Sequence, residues 1–181
     1  KRAISELKLM GIEAVMITGD HIKVAEVVGG ELGIEKYHAE VLPQDKAGHV
    51  KRLQGEGKFV AMVGDGINDA PALAQSNIGI AIGAGTDVAK ETGNIVLMKS
   101  DPLDIVAAIR LSKATVRKMK QNLFWAAIYN VLAIPVAAGV FYNSFGWQLR
   151  PEISALLMSV SSIIVATNAV LLKRIEPKLK T

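Results

Sequence analysis

Three short runs between Thr18 and Pro71 hold side chains able to handle a phosphoryl group. Thr18-Gly19-Asp20 offers a hydroxyl and a carboxylate, and Lys46 offers an ammonium just after Pro43. Gly64-Asp65-Gly66-Ile67-Asn68-Asp69-Ala70-Pro71 offers two carboxylates and an amide between glycines and a proline. Phosphoryl transfer needs a cation to neutralise charge, donors for the equatorial oxygens and a carboxylate to hold Mg²⁺. Each short run also has a plain structural reading. Thr-Gly-Asp makes an ordinary turn, and a lysine on a helix is ordinarily solvated. The Gly-Asp-Gly run with Asn, Asp and a helix-starting proline is more particular than a turn requires.

A second group of polar residues sits in apolar surroundings. Gln121 to Leu149 and Ile153 to Leu172 contain no charged residue, and each is long enough for a membrane-spanning helix of roughly 20 residues. Polar groups in such helices are costly and ordinarily serve function. The first stretch offers Tyr129 and Asn130; the second offers Met158, Ser159, Ser161, Ser162, Thr167 and Asn168. Met158 and Ser162 are four apart, on one helical face. Counting from the flanking Lys120 and Lys173 puts Asn130 roughly 15 Å and Ser162 roughly 16 Å deep, so the two can meet near mid-bilayer. A thioether suits Cu(I) and suits Ca²⁺ or Mg²⁺ poorly. The structural alternatives are Met158 as lipid-facing filler, serines bonded back to their own helix, and Asn130 as glue between helices. Pro135 is expected to kink the first span and free the Val131 carbonyl.

These groups need elements to position them. Apolar runs at Ala14–Ile17, Tyr37–Glu40, Phe59–Val63, Ile78–Ile82 and Ile95–Leu97 read as strands, and helical patterns near Ile22–Leu32, Gln44–Gln54 and Pro71–Gln75 lie among them. That alternation implies an α/β domain with a parallel sheet, and open parallel sheets place ligands at the C-terminal ends of their strands. Thr18 and Asp65 both follow such runs. Helical periodicity from Pro102 continues into the first apolar stretch without a Gly or Pro before Pro135, which reads as a stalk. An ordinary surface helix with a flexible joint is the alternative.

The chain of 181 residues has a formal net charge of +4 and no cysteine, which excludes a disulfide framework and a thiolate metal site within it. Its position argues against nucleic acid. Lys113, Arg117, Lys118 and Lys120 precede the first apolar stretch and Lys173, Arg174, Lys178 and Lys180 follow the second, whereas the connection holds only Arg150 and Glu152. By the positive-inside rule both outer ends of the hairpin, and residues 1–120 with them, lie in the cytoplasm. The expected division is 1–101 as part of a cytoplasmic domain, 102–120 as a stalk, 121–147 and 153–172 as spans, 148–152 as an extracytoplasmic loop and 173–181 as a cytoplasmic tail. The chain opens inside an amphipathic helical pattern, without an initiator Met, and is read as a piece of a longer membrane protein.

Met16-Ile17-Thr18-Gly19-Asp20, Leu42-Pro43-Gln44-Asp45-Lys46 and Met62-Val63-Gly64-Asp65-Gly66-Ile67-Asn68-Asp69-Ala70-Pro71-Ala72-Leu73 resemble the phosphorylation-domain motifs of P-type ATPases, in the haloacid-dehalogenase superfamily. Gln121-Asn122-Leu123-Phe124-Trp125-Ala126 leading to Tyr129-Asn130, then Met158-Ser159-Val160-Ser161-Ser162, resembles the last two helices of the copper-exporting members. The resemblance implies that Thr18, with Gly19 and Asp20, and Lys46 serve the phosphoryl group. It further implies that Asp65 binds Mg²⁺, Asn68 and Asp69 complete the site, and Gly64 and Gly66 allow close backbone approach. Tyr129, Asn130, Met158 and Ser162 would belong to the path of the transported Cu⁺, and ATP would be the substrate. The phosphorylated aspartate of the family's Asp-Lys-Thr-Gly-Thr motif, the nucleotide-binding domain and the Cys-Pro-Cys helix lie outside this chain, so the segment alone is expected to be inactive. Implied partners are the cell membrane, the rest of the same ATPase and a copper chaperone. Two departures stand out. His21 takes the place of a common Asn after Thr-Gly-Asp. Ile128 and Ser162 replace the Gly and Thr of a branch with a Cys-Pro-His helix that handles copper or silver, although Ile164-Val165-Ala166 and Asn168-Ala169 resemble that branch, so a pump of that branch with a different metal preference, or Ag⁺ as the cargo, is an alternative. A membrane-anchored phosphohydrolase of the same superfamily, or a non-catalytic membrane hairpin with a phosphatase-like head, are the remaining alternatives.

Overall fold

The computed structural model describes residues 1–65, 68–83, 93–146 and 151–171, apart from the side chains of Tyr129, Pro151, Ser154 and Leu157. It divides into two compact units, Lys1–Ala107 and Ala108–Thr181.

In the first unit, α1 (Arg2–Leu9) leads to β1 (Val15–Ile17), α2 (Ile22–Leu32) and β2 (Lys36–His38). A 3₁₀ turn at Pro43–Asp45 precedes α3 (Lys46–Gly55), then β3 (Ala61–Gly64), α4 (Ala70–Gln75), β4 (Ile78–Ile82) and β5 (Ile95–Leu97) follow. All pairings are parallel, as the strand–helix alternation requires. β1 pairs with β2 from Val15↔Lys36 to Ile17↔His38, and β3, β4 and β5 form a second ladder with β4 in the middle. The core of this half is Val50 from α3, Met62 from β3 and Ala72 and Leu73 from α4, with Ala47 and Val60 packed against it. Leu73 is 1% exposed, a burial that stabilises by roughly 1.5–3 kcal/mol.

The strands are shorter than the apolar runs, for local reasons. The Phe59–Val63 run starts its ladder only at Ala61, because the Val60 N–H is taken by Asn77 Oδ1 at 2.8 Å and the Val60 carbonyl accepts from the Asn77 amide. Phe59 is left 74% exposed. The Tyr37–Glu40 run ends at His38, because Glu40 takes a left-handed φ of 57°, which turns the chain back toward β1.

Glu13, just ahead of β1, ties the entry ends of the strands together. Its carboxylate bonds Lys36 Nζ at 2.6 Å, at the start of β2, and Lys58 Nζ at 2.8 Å, ahead of β3. The hydrogen bond from Lys36, then that from Lys58, holds the Glu13 carboxyl down to about 2 from an ordinary 4.5. A group depressed on folding stabilises fully above its unfolded value and loses that contribution as pH falls through its folded one. Thermal melts of the chain are therefore expected to fall between about pH 4.5 and 2, and Glu13→Gln to flatten that part of the profile. An unchanged acid limb in the variant would show that Glu13 does not couple these strands to pH.

In the second unit the long helix α5 (Pro102–Ala137), which begins in the first unit, is followed by α6 (Tyr142–Phe145) and α7 (Pro151–Val170). Asp101 caps α5 by accepting from the Leu103 amide at 2.9 Å, and no break intervenes up to Pro135, as the periodicity indicates. The stretch expected as one span over 121–147 is not one helix. It stops at Ala137, and Gly139 with φ 74° turns the chain into α6. The reason is local: Pro135 disrupts the ladder behind it, and the glycine accepts the left-handed conformation that ends a helix. From Gln121 the helix thus extends only about 25 Å. Among the described residues, no helix is long and apolar enough to cross a membrane.

Candidate functional site

The residues expected to act on phosphate gather into two groups in the first unit, both at C-terminal strand ends. At the end of β1, Thr18 Oγ1 donates to Asp20 Oδ2 at 2.8 Å and accepts from the Asp20 amide at 3.1 Å. The loop after β2 latches this turn: Glu40 N donates to the Asp20 carbonyl at 2.9 Å and Val41 N to the Thr18 carbonyl at 3.0 Å. Gly19 lies close to that latch, since a Cβ there would meet the Val41 carbonyl at 3.4 Å. His21 caps α2 by accepting from the Lys23 amide at its Nδ1, a helix-start role that explains a polar residue at this position without a metal.

At the end of β3, Lys46 Nζ bonds Asp69 Oδ1 at 2.6 Å. Both side chains are mostly buried, at 16% and 13% exposure, so the ion pair is fixed rather than solvated. The 3₁₀ turn at Pro43–Asp45 sets Lys46 at the head of α3, and Pro71 starts α4 just after Asp69. Gly64, at the end of β3, lies directly against the Asp69 side chain. A Cβ there would lie 2.4 Å from Asp69 Oδ2 and 2.6 Å from Asp69 Cβ, so only glycine lets the carboxylate lie against β3. The expected role of this glycine was close backbone approach; the group packed against it is the Asp69 side chain.

Asp65 and Asn68 are exposed beside this pair. Gly66 lies outside the described residues. Among the described residues, no three His, Cys, Asp or Glu side chains gather in a metal cluster. One carboxylate, with oxygen from water and phosphate, is nevertheless the donor set that Mg²⁺ ordinarily accepts. An exposed carboxylate at the end of β3, as Asp65 is, fits that role.

In the second unit the residues expected to handle a soft metal are less tightly organised. The Ser162 hydroxyl donates to the Met158 carbonyl at 3.1 Å, and Ser159 to Ala155 at 3.0 Å, the back-bonding that was the structural alternative. Met158 is 67% exposed and Asn130 is exposed. Apart from the bond between Ser162 and Met158, no hydrogen bond joins Asn130, Met158 and Ser162 to one another among the described residues. The side chain of Tyr129 lies outside those residues.

A polar chain was missed. Lys118 Nζ donates to Asn168 Oδ1 at 2.6 Å, and Asn168 Nδ2 donates to Asn122 Oδ1 at 2.6 Å. Asn168 was singled out as a polar residue in an apolar stretch, but its partners on α5 were not. Their spacing of four was the available signal, because it puts Lys118 and Asn122 on one face.

Comparison with known proteins fits this geometry. Residues 1–77 match the haloacid dehalogenase-like hydrolase family. The chain is 58% identical over 174 residues to the copper-exporting P-type ATPase B of Archaeoglobus fulgidus, covering 96% of this chain and 25% of that protein. It is 54% identical over 168 residues to the copper-exporting P-type ATPase of Vibrio cholerae, covering 93% of this chain and 18% of that one. In structure it resembles a zinc-transporting PIB-type ATPase in the E2.Pi state, with TM-score 0.80, 35% identity, and coverage of 94% of this chain and 27% of that one. The chain thus spans about a quarter or less of the relatives it matches. Along nearly its whole length it is similar to copper-exporting P-type ATPases, and residues 1–77 are similar to haloacid dehalogenase-like hydrolases.

Proposed function

We propose that this chain is a segment of an ATP-driven pump that exports Cu(I) through a phosphoaspartate intermediate, with its first unit in the cytoplasm and its second in the cell membrane. The observation that carries the reading is the partly buried Lys46–Asp69 pair against Gly64, with the exposed Asp65 next along the chain at the end of a parallel strand. An ammonium held so firmly serves as a preorganised positive charge for a phosphoryl group, with no reorganisation at the moment of reaction. Asp69 positions Lys46, and the Thr18 hydroxyl supplies a hydrogen-bond donor once it turns from Asp20. Asp65 would hold Mg²⁺, which when bound neutralises charge on the phosphoryl oxygens. The attacking aspartate and the nucleotide-binding domain come from the rest of the protein.

The exposed apolar side chains of α5 and α7, among them Leu123, Val131, Ile134, Leu156 and Ile163, support a membrane environment for the second unit. We assign Tyr129, Asn130, Met158 and Ser162 to the cation path, where the soft thioether of Met158 favours Cu(I) as the cargo. The zinc-transporting structural relative favours a second cargo, Zn(II), and the higher identities to copper exporters weigh against it. A copper chaperone would be the donor of such a cargo. The continuous α5 would transmit conformational change from the phosphorylated unit to the cation path.

The test is metal-stimulated ATPase activity of the full-length protein. Cu(I) is expected to stimulate hydrolysis more than Zn(II), and Met158→Ala to lower the Cu(I) stimulation about tenfold, the loss of roughly one weak metal contact. Equal stimulation in the variant would remove Met158 from the path, and stimulation by Zn(II) alone would overturn the cargo assignment.

A further inference from the structure

We propose that one face of α5 binds the headgroup of an anionic phospholipid, an inference that rests on the membrane placement above. A groove of about 700 Å³ runs along this helix, lined by Lys113, Val116, Arg117, Lys120, Phe124 and Trp125 among others. The cations recur at steps of four and three, which places all three on one side. Among the described residues no carboxylate lines the groove and none of the three cations forms an ion pair. Lys118, which is not part of the lining, is bonded to Asn168 instead, so the neighbouring positive charge with an internal partner points away from this site.

The order of chemistry along the groove matches a membrane surface. The cationic end gives way at Lys120 to an apolar end closed by Phe124 and Trp125, whose rings meet edge to face at 5.7 Å. Trp125 is 54% and Phe124 58% exposed, leaving both rings open to an acyl chain. Lys120 to Trp125 spans about 7.5 Å of helix, close to the depth of one headgroup layer. Tryptophan is favoured at that level, and a cluster of Lys and Arg just cytoplasmic to it attracts anionic headgroups. A phosphodiester between Arg117 and Lys120, with its chains along Phe124 and Trp125, satisfies both ends at once.

The measurement is lipid retention by the full-length protein, purified in the presence of equal phosphatidylglycerol and phosphatidylcholine and weighed intact by native mass spectrometry. The wild type is expected to retain phosphatidylglycerol preferentially. Lys113→Gln, Arg117→Gln and Lys120→Gln together are expected to lower that preference at least about tenfold, since each interfacial cation contributes roughly fivefold to binding an anionic surface. Arg117→Lys alone keeps the charge and is expected to keep the preference, which separates a charge effect from misfolding. An absent preference in the wild type, a preference unchanged in the triple variant, or an equal loss of both lipids would overturn the proposal. Retention does not depend on turnover, so it stands or falls separately from metal-stimulated hydrolysis.

Discussion

Replacing Lys46 by alanine is expected to slow phosphoenzyme formation in the full-length protein by about two to three orders of magnitude, the usual cost of losing one preorganised charge or donor at a developing anion. Two effects add. The phosphoryl group loses its ammonium, and Asp69, now 13% exposed beside a missing partner, becomes an uncompensated carboxylate close to the incoming phosphate. The second effect makes a distinctive pattern. Asp69→Asn should cost less than Lys46→Ala, and the double variant should be less impaired than the sum of the two, because removing the lysine already breaks the pair. Acid-quench trapping of ³²P from labelled ATP measures this directly. Strictly additive losses would mean that Lys46 and Asp69 act independently, and the assignment of Asp69 as a positioning residue would fall.

Gly64→Ala is expected to lower the same rate about a hundredfold, through a methyl group that never touches substrate. The added Cβ would collide with the Asp69 carboxylate and with Asp69 Cβ, nearer than real contacts allow, so Asp69 must shift, backbone included. Lys46 is bonded to that side chain at 2.6 Å and moves with it. A displacement of about 1 Å is enough for a loss of this size. The fold should bear the change better than the chemistry does, because the crowding is confined to Asp69 at the end of β3. Global stability is expected to drop by about 1–3 kcal/mol, as for an overpacked site. Removing the crowding side chain together with its Cβ in Gly64→Ala/Asp69→Gly should recover the stability lost to the clash without restoring phosphorylation. If Gly64→Ala is phosphorylated at the normal rate, the close packing at β3 has no catalytic meaning.

Local sequence determines much of this protein without reference to any tertiary contact. Alternating strand and helix patterns were enough for a parallel α/β arrangement, because period-2 and period-3.6 patterns bury different faces and cannot substitute for one another. Pro43 and Pro71 marked the starts at which Lys46 and Asp69 are held, because proline presets the backbone of a first helical turn. The long run without charge from Gln121 onward was equally plain, and so was the helical continuity from Pro102 to Pro135.

Other features were decided only in three dimensions. That Asp69 pairs with Lys46, 23 residues away, follows from α3 and α4 packing around Val50 and Leu73, which no short-range pattern specifies. The lengths of β2 and β3 were set by Glu40 and Asn77, whose effects depend on distant backbone groups they happen to meet. The end of α5 at Ala137 reflects competition between an apolar stretch that suits a longer helix and a Pro135–Gly139 pair that stops it. Glu13 joins three strand entries through two lysines 23 and 45 residues onward. Hydrophobic periodicity carries a signal that repeats along the chain, whereas a single ion pair or a single close approach leaves none, so the elements were legible from the residues and the wiring of the site was not.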